Sequence, residues 1–181
     1  MSKKQKRTSR RAYLNDFRLT DDGTYSYEGV HYKREGSLTS TLLFSVGAAI
    51  AAIVSGLIPF EPMLNTFYVI LPFLGEIICS VCLVWNVSRA VSHRETLREY
   101  IYKKSVVRVH PFCIALTVFS SLCVVTSVIF LTLYGVSNVL WTALFLLCTL
   151  ISLACGVYCA KAVKKITWQK VEPARRSVLD D

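Results

Sequence analysis

Long uncharged segments dominate the hydrophobic pattern of the chain. Residues 109–160 contain no Asp, Glu, Lys or Arg, and residues 38–59 are uncharged as well. Residues 63–88 carry only one charged side chain, that of Glu76. A soluble helix needs a polar face, whereas a helix that crosses the hydrocarbon core needs only about 20 apolar residues. The pattern therefore predicts four membrane-spanning helices at roughly 38–58, 66–88, 111–133 and 139–160.

This pattern sets the fold class and the division of the chain. We expect an all-α integral membrane protein whose four transmembrane helices form two in–out–in hairpins. The transmembrane domain covers residues 38–160, and its second and third helices are joined by a loop at 89–110. A basic segment, 1–37, precedes it and a basic tail, 161–181, follows it. The hydrophobic content of 53% is high for a soluble domain and agrees with this interpretation.

The cations predict the orientation. All 21 Lys and Arg residues lie in three segments, with nine in 1–37, six in 89–108 and six in 161–181. The other two loops, 59–65 and 134–138, contain none. Because cytoplasmic loops carry the excess of Lys and Arg, both termini and the middle loop are expected in the cytoplasm, with the helices in the cell membrane.

The basic segments also bear on the binding partners. Lys and Arg beside a membrane helix attract the anionic lipids of the inner leaflet, at about 1 kcal/mol per residue. No aromatic-interleaved basic fold or zinc-finger spacing is present, so we expect no nucleic-acid partner. The basic N-terminus could imitate a secretion signal, but the first apolar run begins only near Leu38. The first helix is therefore expected to act as an uncleaved signal-anchor.

Alternating residues in the N-terminal segment predict a β-hairpin over 17–34, with two or three strands. Tyr25 and Tyr27 alternate with polar residues after the turn signal at 21–23. An isolated hairpin is marginal in water, so it should pack on the middle loop, the C-terminal tail or another protein. A loosely ordered tail is the alternative. Residues 105–109 also look extended, and 166–171 could form a short strand or an anchor in the membrane interface.

All seven cysteines fall in the predicted helices. Cys79 and Cys82 form a C-x-x-C pair, which can be a redox motif. A membrane thiol oxidoreductase would need this pair near the outer surface, but the second helix places it in the inner half. The cysteines are thus expected to pack in the bundle. His31, His93 and His110 lack ligand spacing to a cysteine pair, so neither a metal nor another cofactor is predicted.

Small residues predict how the helices pack. Ala48, Ala52 and Gly56 follow one another at intervals of four in the first helix, and Ser152 and Gly156 do so in the fourth. Helices in lipid associate through such close contacts. These residues are expected at helix–helix interfaces, and a polar pathway is the alternative.

Glu76 is the candidate functional residue. It lies about 10 residues into the second helix, roughly 15 Å deep at 1.5 Å per residue. An ionised carboxylate facing lipid there costs several kcal/mol, so Glu76 should face the bundle, where desolvation favours the neutral acid. The predicted helices contain no Lys or Arg, and the polar groups available at similar depth are Ser45, Ser120, Ser121 and Thr149.

Pro72 and Gly75 precede this carboxyl group. Pro72 cannot donate a backbone hydrogen bond to Tyr68 and tends to kink the helix, while Gly75 leaves room for a neighbour. A kink, a gap and a carboxylate together resemble the broken helices of transporter sites. The alternative is a protonated Glu76 bonded to a Ser or Thr in a kinked scaffold helix.

Two functions follow from these features. The first is a small non-catalytic subunit, such as a transport accessory, that binds other membrane proteins or itself. The second is a small homo-oligomeric transporter or channel that uses Glu76 as a proton or cation site. An enzyme is not expected, since the outer loops offer only Glu61 and the inner ones no His/Asp cluster.

Overall fold

The computed structural model describes residues 17–19, 25–27, 29–58, 64–92, 96–135 and 138–171. Four helices in this part are long and apolar enough to cross a membrane. This confirms the predicted set of four helices and is compatible with a multi-pass membrane protein. The helices are α1 (Thr39–Leu57), α2 (Phe67–Ser92), α3 (Glu99–Tyr134) and α4 (Val139–Lys164).

The third helix begins earlier than the sequence indicated. A short turn at Glu99–Ile101 leads into a π-helical segment, Tyr102–Val106, and then into regular α-helix at Val107–Tyr134. The extended structure expected at 105–109 is therefore wrong. Ile101, Ser105 and Val109 are all buried, and their four-residue spacing places them on one helical face. Tertiary packing of this face outweighs the local strand preference of the valines.

Gly135 and Asn138 define the turn between α3 and α4. Gly135 ends α3 with a φ of +75°, a conformation that a residue without a Cβ adopts at little cost. The Asn138 side-chain oxygen accepts hydrogen bonds from the backbone N–H groups of Leu140 and Trp141, at 3.1 and 3.4 Å. This N-cap fixes the start of α4.

The four helices form a closed bundle. The main contacts join α1 to α2, α2 to α3, α3 to α4 and α4 to α1. The bundle contains two apolar clusters. The first includes Leu83, Val109, Cys113, Leu116 and Cys159, and the second includes Val69, Phe73, Cys123, Phe130 and Phe145.

The distribution of polarity in the bundle is the inverse of that in a soluble protein. Large apolar side chains such as Leu43, Leu71, Ile78 and Val125 are exposed, whereas small hydroxyl side chains are buried. This distribution is expected for helices that pack in lipid, where small residues allow close approach. The fully buried hydroxyl residues are Thr41, Ser45, Ser55, Ser80, Ser120, Ser127, Thr149 and Ser152.

The described residues also contain five short strands, so the fold is mostly helical rather than all-α. Strands β1 (Phe17–Leu19) and β2 (Tyr25–Tyr27) form an antiparallel pair, as the hairpin prediction required. The turn predicted at 21–23, Glu61 and His93 lie outside the described residues.

A second sheet joins three distant segments of the chain. Strand β3 (His31–Glu35) lies at its centre and pairs antiparallel with β4 (Thr96–Arg98) and β5 (Thr167–Val171). The middle loop and the C-terminal segment, two of the expected packing partners, thus both contact β3. Strand β5 agrees with the short strand suggested at 166–171.

The sheet packs on the start of α3 through aromatic rings. Tyr32 of β3 stacks on Tyr102, with ring centroids 4.0 Å apart and an angle of 5° between the planes. Trp168 of β5 meets the same Tyr102 ring edge-on, at 5.4 Å. Since β3 leads into α1, β4 joins α2 to α3 and β5 follows α4, this end of the bundle carries all three segments. We call it the sheet end.

Candidate functional site

Glu76 lies on the buried face of α2. It shares this face with Val69, Phe73 and Leu83, and its side chain has no exposed surface. Phe73 belongs to one apolar cluster and Leu83 to the other. Glu76 therefore sits in a polar layer between two apolar regions of the bundle.

Side chains of α3 and α4 complete this layer. The Glu76 carboxyl group interacts with Ser152 of α4 and with Ser120 and Cys123 of α3. The hydroxyl oxygens of Ser120 and Ser152 are 3.3 Å apart and share a hydrogen bond. We call Glu76, Ser120 and Ser152 the central polar layer.

The carboxyl group itself is incompletely satisfied. Among the described residues, neither carboxyl oxygen makes a hydrogen bond of acceptable distance and angle, although Ser120 and Ser152 lie beside the group. An unpaired polar group in a protein interior costs about 1–3 kcal/mol. Such a group in a folded protein calls for a physical explanation, such as a water molecule or an ion.

Three other polar residues predicted near Glu76 make their hydrogen bonds elsewhere. The Ser45, Ser121 and Thr149 hydroxyl groups donate to backbone carbonyls of their own helices, at 2.8, 2.8 and 3.0 Å. Ser45 and Thr149 are fully buried, whereas Ser121 is half-buried on another side of α3 from Ser120. Bonds to the preceding turn already use these donors.

Pro72 and Gly75 do not create a broken helix. The half-buried Pro72 lies inside α2, which continues through it from Phe67 to Ser92. A Cβ placed on Gly75 would meet three ring atoms of Phe119 at 2.5–2.8 Å. The gap at Gly75 is therefore filled by the Phe119 ring, which brings α3 close to α2.

The predicted packing residues lie at helix contacts. Ala48 and Ala52 of α1 and Ser152 of α4 are fully buried. A Cβ on Gly56 would lie 3.2 Å from the Phe73 ring, although Gly56 itself is exposed. Gly156 packs on α3, since its Cβ would lie 3.0 Å from the Thr117 hydroxyl.

Sequence reasoning missed the position of Ser152 beside Glu76. Ser120 and Ser152 lie 16 residues before and after residue 136 in the α3–α4 turn. In an antiparallel helix pair, residues equidistant from the turn lie at the same depth. The equal spacing from the turn could therefore have indicated that Ser120 and Ser152 lie at the same depth. The contact of Cys123 with Glu76 had no such signal, because a cysteine in an apolar helix resembles ordinary packing.

The cysteines and histidines form no metal site in the described part of the chain, where no group of three His, Cys, Asp or Glu could hold an ion. All seven cysteines are free thiols. Cys79 is buried and Cys82 half-buried on α2.

Two cavities lie at the sheet end. One, of about 290 Å³, opens between α3 and α4 and is lined by His110, Ile114, Lys161 and Lys164 among others. The second, of about 340 Å³, lies between the start of α1 and the end of α4. Glu76 lines neither cavity.

No protein-family model, curated protein or solved structure matches this chain.

Proposed function

We propose that the protein is a small, non-catalytic subunit of a larger membrane assembly, which binds other membrane proteins or further copies of itself. The observation that carries this proposal is the closed central polar layer. Among the described residues, Glu76 has no exposed surface and lines neither cavity described above. A carboxyl group enclosed in this way suits a packed scaffold better than a conduit.

The sheet end is the part that we place in the cytoplasm, with the helices in the cell membrane. All Lys and Arg residues fall in the three segments that contribute strands to this end or extend from them. The positive-inside rule supports this orientation. The same cations favour the anionic lipids of the inner leaflet.

The sheet would also offer a rigid surface to a partner. It ties the N-terminal, middle and C-terminal segments together, and Thr167, Gln169 and Val171 of β5 are exposed. Among the described residues β5 lies at the edge of this sheet, a position at which another chain can add a strand.

The proposal is tested by extracting the full chain from its native membrane in a mild detergent and measuring its mass and composition. We expect a complex with a fixed ratio of partner, or of copies, that is unchanged by Glu76→Gln. A monomer that copurifies with nothing would contradict the proposal.

A second candidate is a proton or cation transporter or channel built on Glu76. The unpaired carboxyl oxygens favour it, because a bound proton, water or ion would satisfy them. This candidate predicts flux in proteoliposomes that falls at least about tenfold in Glu76→Gln, a loss of roughly 1.4 kcal/mol. Ser121→Ala is the matched control, since Ser121 bonds only to its own helix. The absence of flux from the wild-type chain would remove this candidate.

A further inference from the structure

We propose that the cavity between α3 and α4 at the sheet end is a binding site for one anionic phospholipid. We call this cavity the α3–α4 groove. The inference rests on the proposed function only in that the sheet end faces the inner leaflet of a membrane. Its volume of about 290 Å³ accommodates part of a lipid molecule rather than a whole one.

The groove changes polarity along its length in the manner of a lipid leaflet. On α4, Lys164 and Lys161 lie nearest the sheet end, and Val157 lies one turn deeper. On α3, His110 lies nearest the sheet end, and Ile114 and Val118 follow at intervals of four residues. Both helices therefore present polar groups at the interface and apolar groups toward the bilayer centre.

The polar end of the groove is suited to a phosphate group. Lys161 and Lys164 are both exposed, and neither has an ion-pair partner among the described residues. The Nε2 atom of His110 is buried and lacks a hydrogen-bond partner in the same part of the chain. Lys161, Lys164 and His110 thus all line the groove, and its described lining contains no carboxylate.

Two described carboxylates at the sheet end have other partners. Glu99 pairs with Lys103, with Nζ and Oε1 2.5 Å apart. Glu35 accepts hydrogen bonds from Thr167 and Gln169, at 3.2 and 2.6 Å. Both carboxylates therefore act in the sheet and at the start of α3, and no described carboxylate lines the groove.

The apolar end favours a lipid over a free anion. Ile114 and Val118 are each 48% exposed on a helix that is long and apolar enough to cross a membrane, as expected for side chains that contact acyl chains. An acyl chain lying against these side chains and Val157 would cover them. Free phosphate would use only the polar end.

The test uses the purified full chain in a mild detergent, titrated with dioleoylphosphatidylglycerol or dioleoylphosphatidylcholine and analysed by native mass spectrometry. We expect one phosphatidylglycerol to be retained per chain, more tightly than phosphatidylcholine. The double variant Lys161→Gln/Lys164→Gln should weaken that binding by roughly 25-fold, about fivefold for each lysine.

Two further variants separate a site from general charge attraction. Lys33→Gln/Lys104→Gln removes two exposed cations outside the groove and should leave binding within about twofold. Ile114→Trp fills the apolar end from an exposed position and should displace the lipid with all charges intact. Circular dichroism verifies that each variant is folded. If Ile114→Trp does not fold, Val118→Trp takes its place as the variant that fills the apolar end.

Three results would overturn the inference. Equal affinity for the two lipids would remove the charge recognition. An equal loss in both double-lysine variants would indicate diffuse attraction. Displacement of the lipid by inorganic phosphate alone would indicate a free-anion site. The lipid measurement needs only the single chain, so its outcome is independent of whether a partner protein is found.

Discussion

At the scale of single residues, the centre of the bundle depends on side chains that are small or absent. Phe119 lies against the backbone of Gly75, one residue before Glu76. This contact sets the separation of α2 and α3 at the depth of the central polar layer. Gly75 is therefore a packing residue. Because Glu76 follows it on α2, the contact between Gly75 and Phe119 also positions Glu76 against α3.

Gly75→Ala should destabilise the protein. The added Cβ would lie 2.5–2.8 Å from Phe119 ring atoms, and overpacking of this kind typically lowers the free energy of unfolding by about 1–3 kcal/mol. Gly47→Ala is the matched control, because its Cβ would meet Cys155 Sγ at 3.9 Å, an ordinary contact. That control should be neutral or gain up to about 1 kcal/mol of helix stability. Thermal unfolding in detergent measures both, and equal stability of the two variants would contradict the packing.

At the scale of elements, the helices and several strands were predictable, whereas the strand pairing in the second sheet was not. Uninterrupted apolar runs of about 20 residues determine a membrane helix locally, which explains why α1 to α4 were found. Strand pairing in the second sheet joins segments far apart in the chain, and β4 has only three residues, too few for a readable alternation. The sequence pattern placed the start of α3 too late, because the buried face of its first turns depends on packing against the bundle.

The Tyr102 ring should hold the sheet on the bundle. It contacts both Tyr32 and Trp168, and each aromatic pair contributes about 0.5–1.5 kcal/mol beyond its buried area. Tyr102→Ala should therefore speed amide hydrogen exchange in β3 and β5 by at least about fivefold.

Tyr100→Ala is the control for this experiment, since Tyr100 is exposed and bonds to Lys104. Hydrogen exchange measured by mass spectrometry compares the two variants. If Tyr102→Ala left β3 and β5 as protected as Tyr100→Ala does, the stack would not be what holds the sheet.

At the scale of the whole molecule, the fold separates two surfaces. The outside of the bundle is apolar along the helices, while the Lys and Arg residues fall in the three sequence segments that contribute strands to the sheet end. The sheet places β3, β4 and β5 at the same end, so they must lie on the same side of any membrane that the helices cross. The cation pattern had predicted a common side for these segments.

Cysteine labelling tests which side this is. With the native thiols replaced, Thr96→Cys at the sheet end should react with an impermeant maleimide only after the membrane is permeabilised. Asn65→Cys, an exposed position before α2, should react in intact cells. The reverse pattern would place the sheet end outside.

The proposed function makes the protein part of a larger assembly. The most direct measurement is the mass of the particle cut from its native membrane with a polymer that needs no detergent, determined by mass photometry. The proposed function predicts one defined particle that contains a partner or further copies at a fixed ratio, with the same mass for Glu76→Gln. Particles that contain a single copy and no other protein would contradict it.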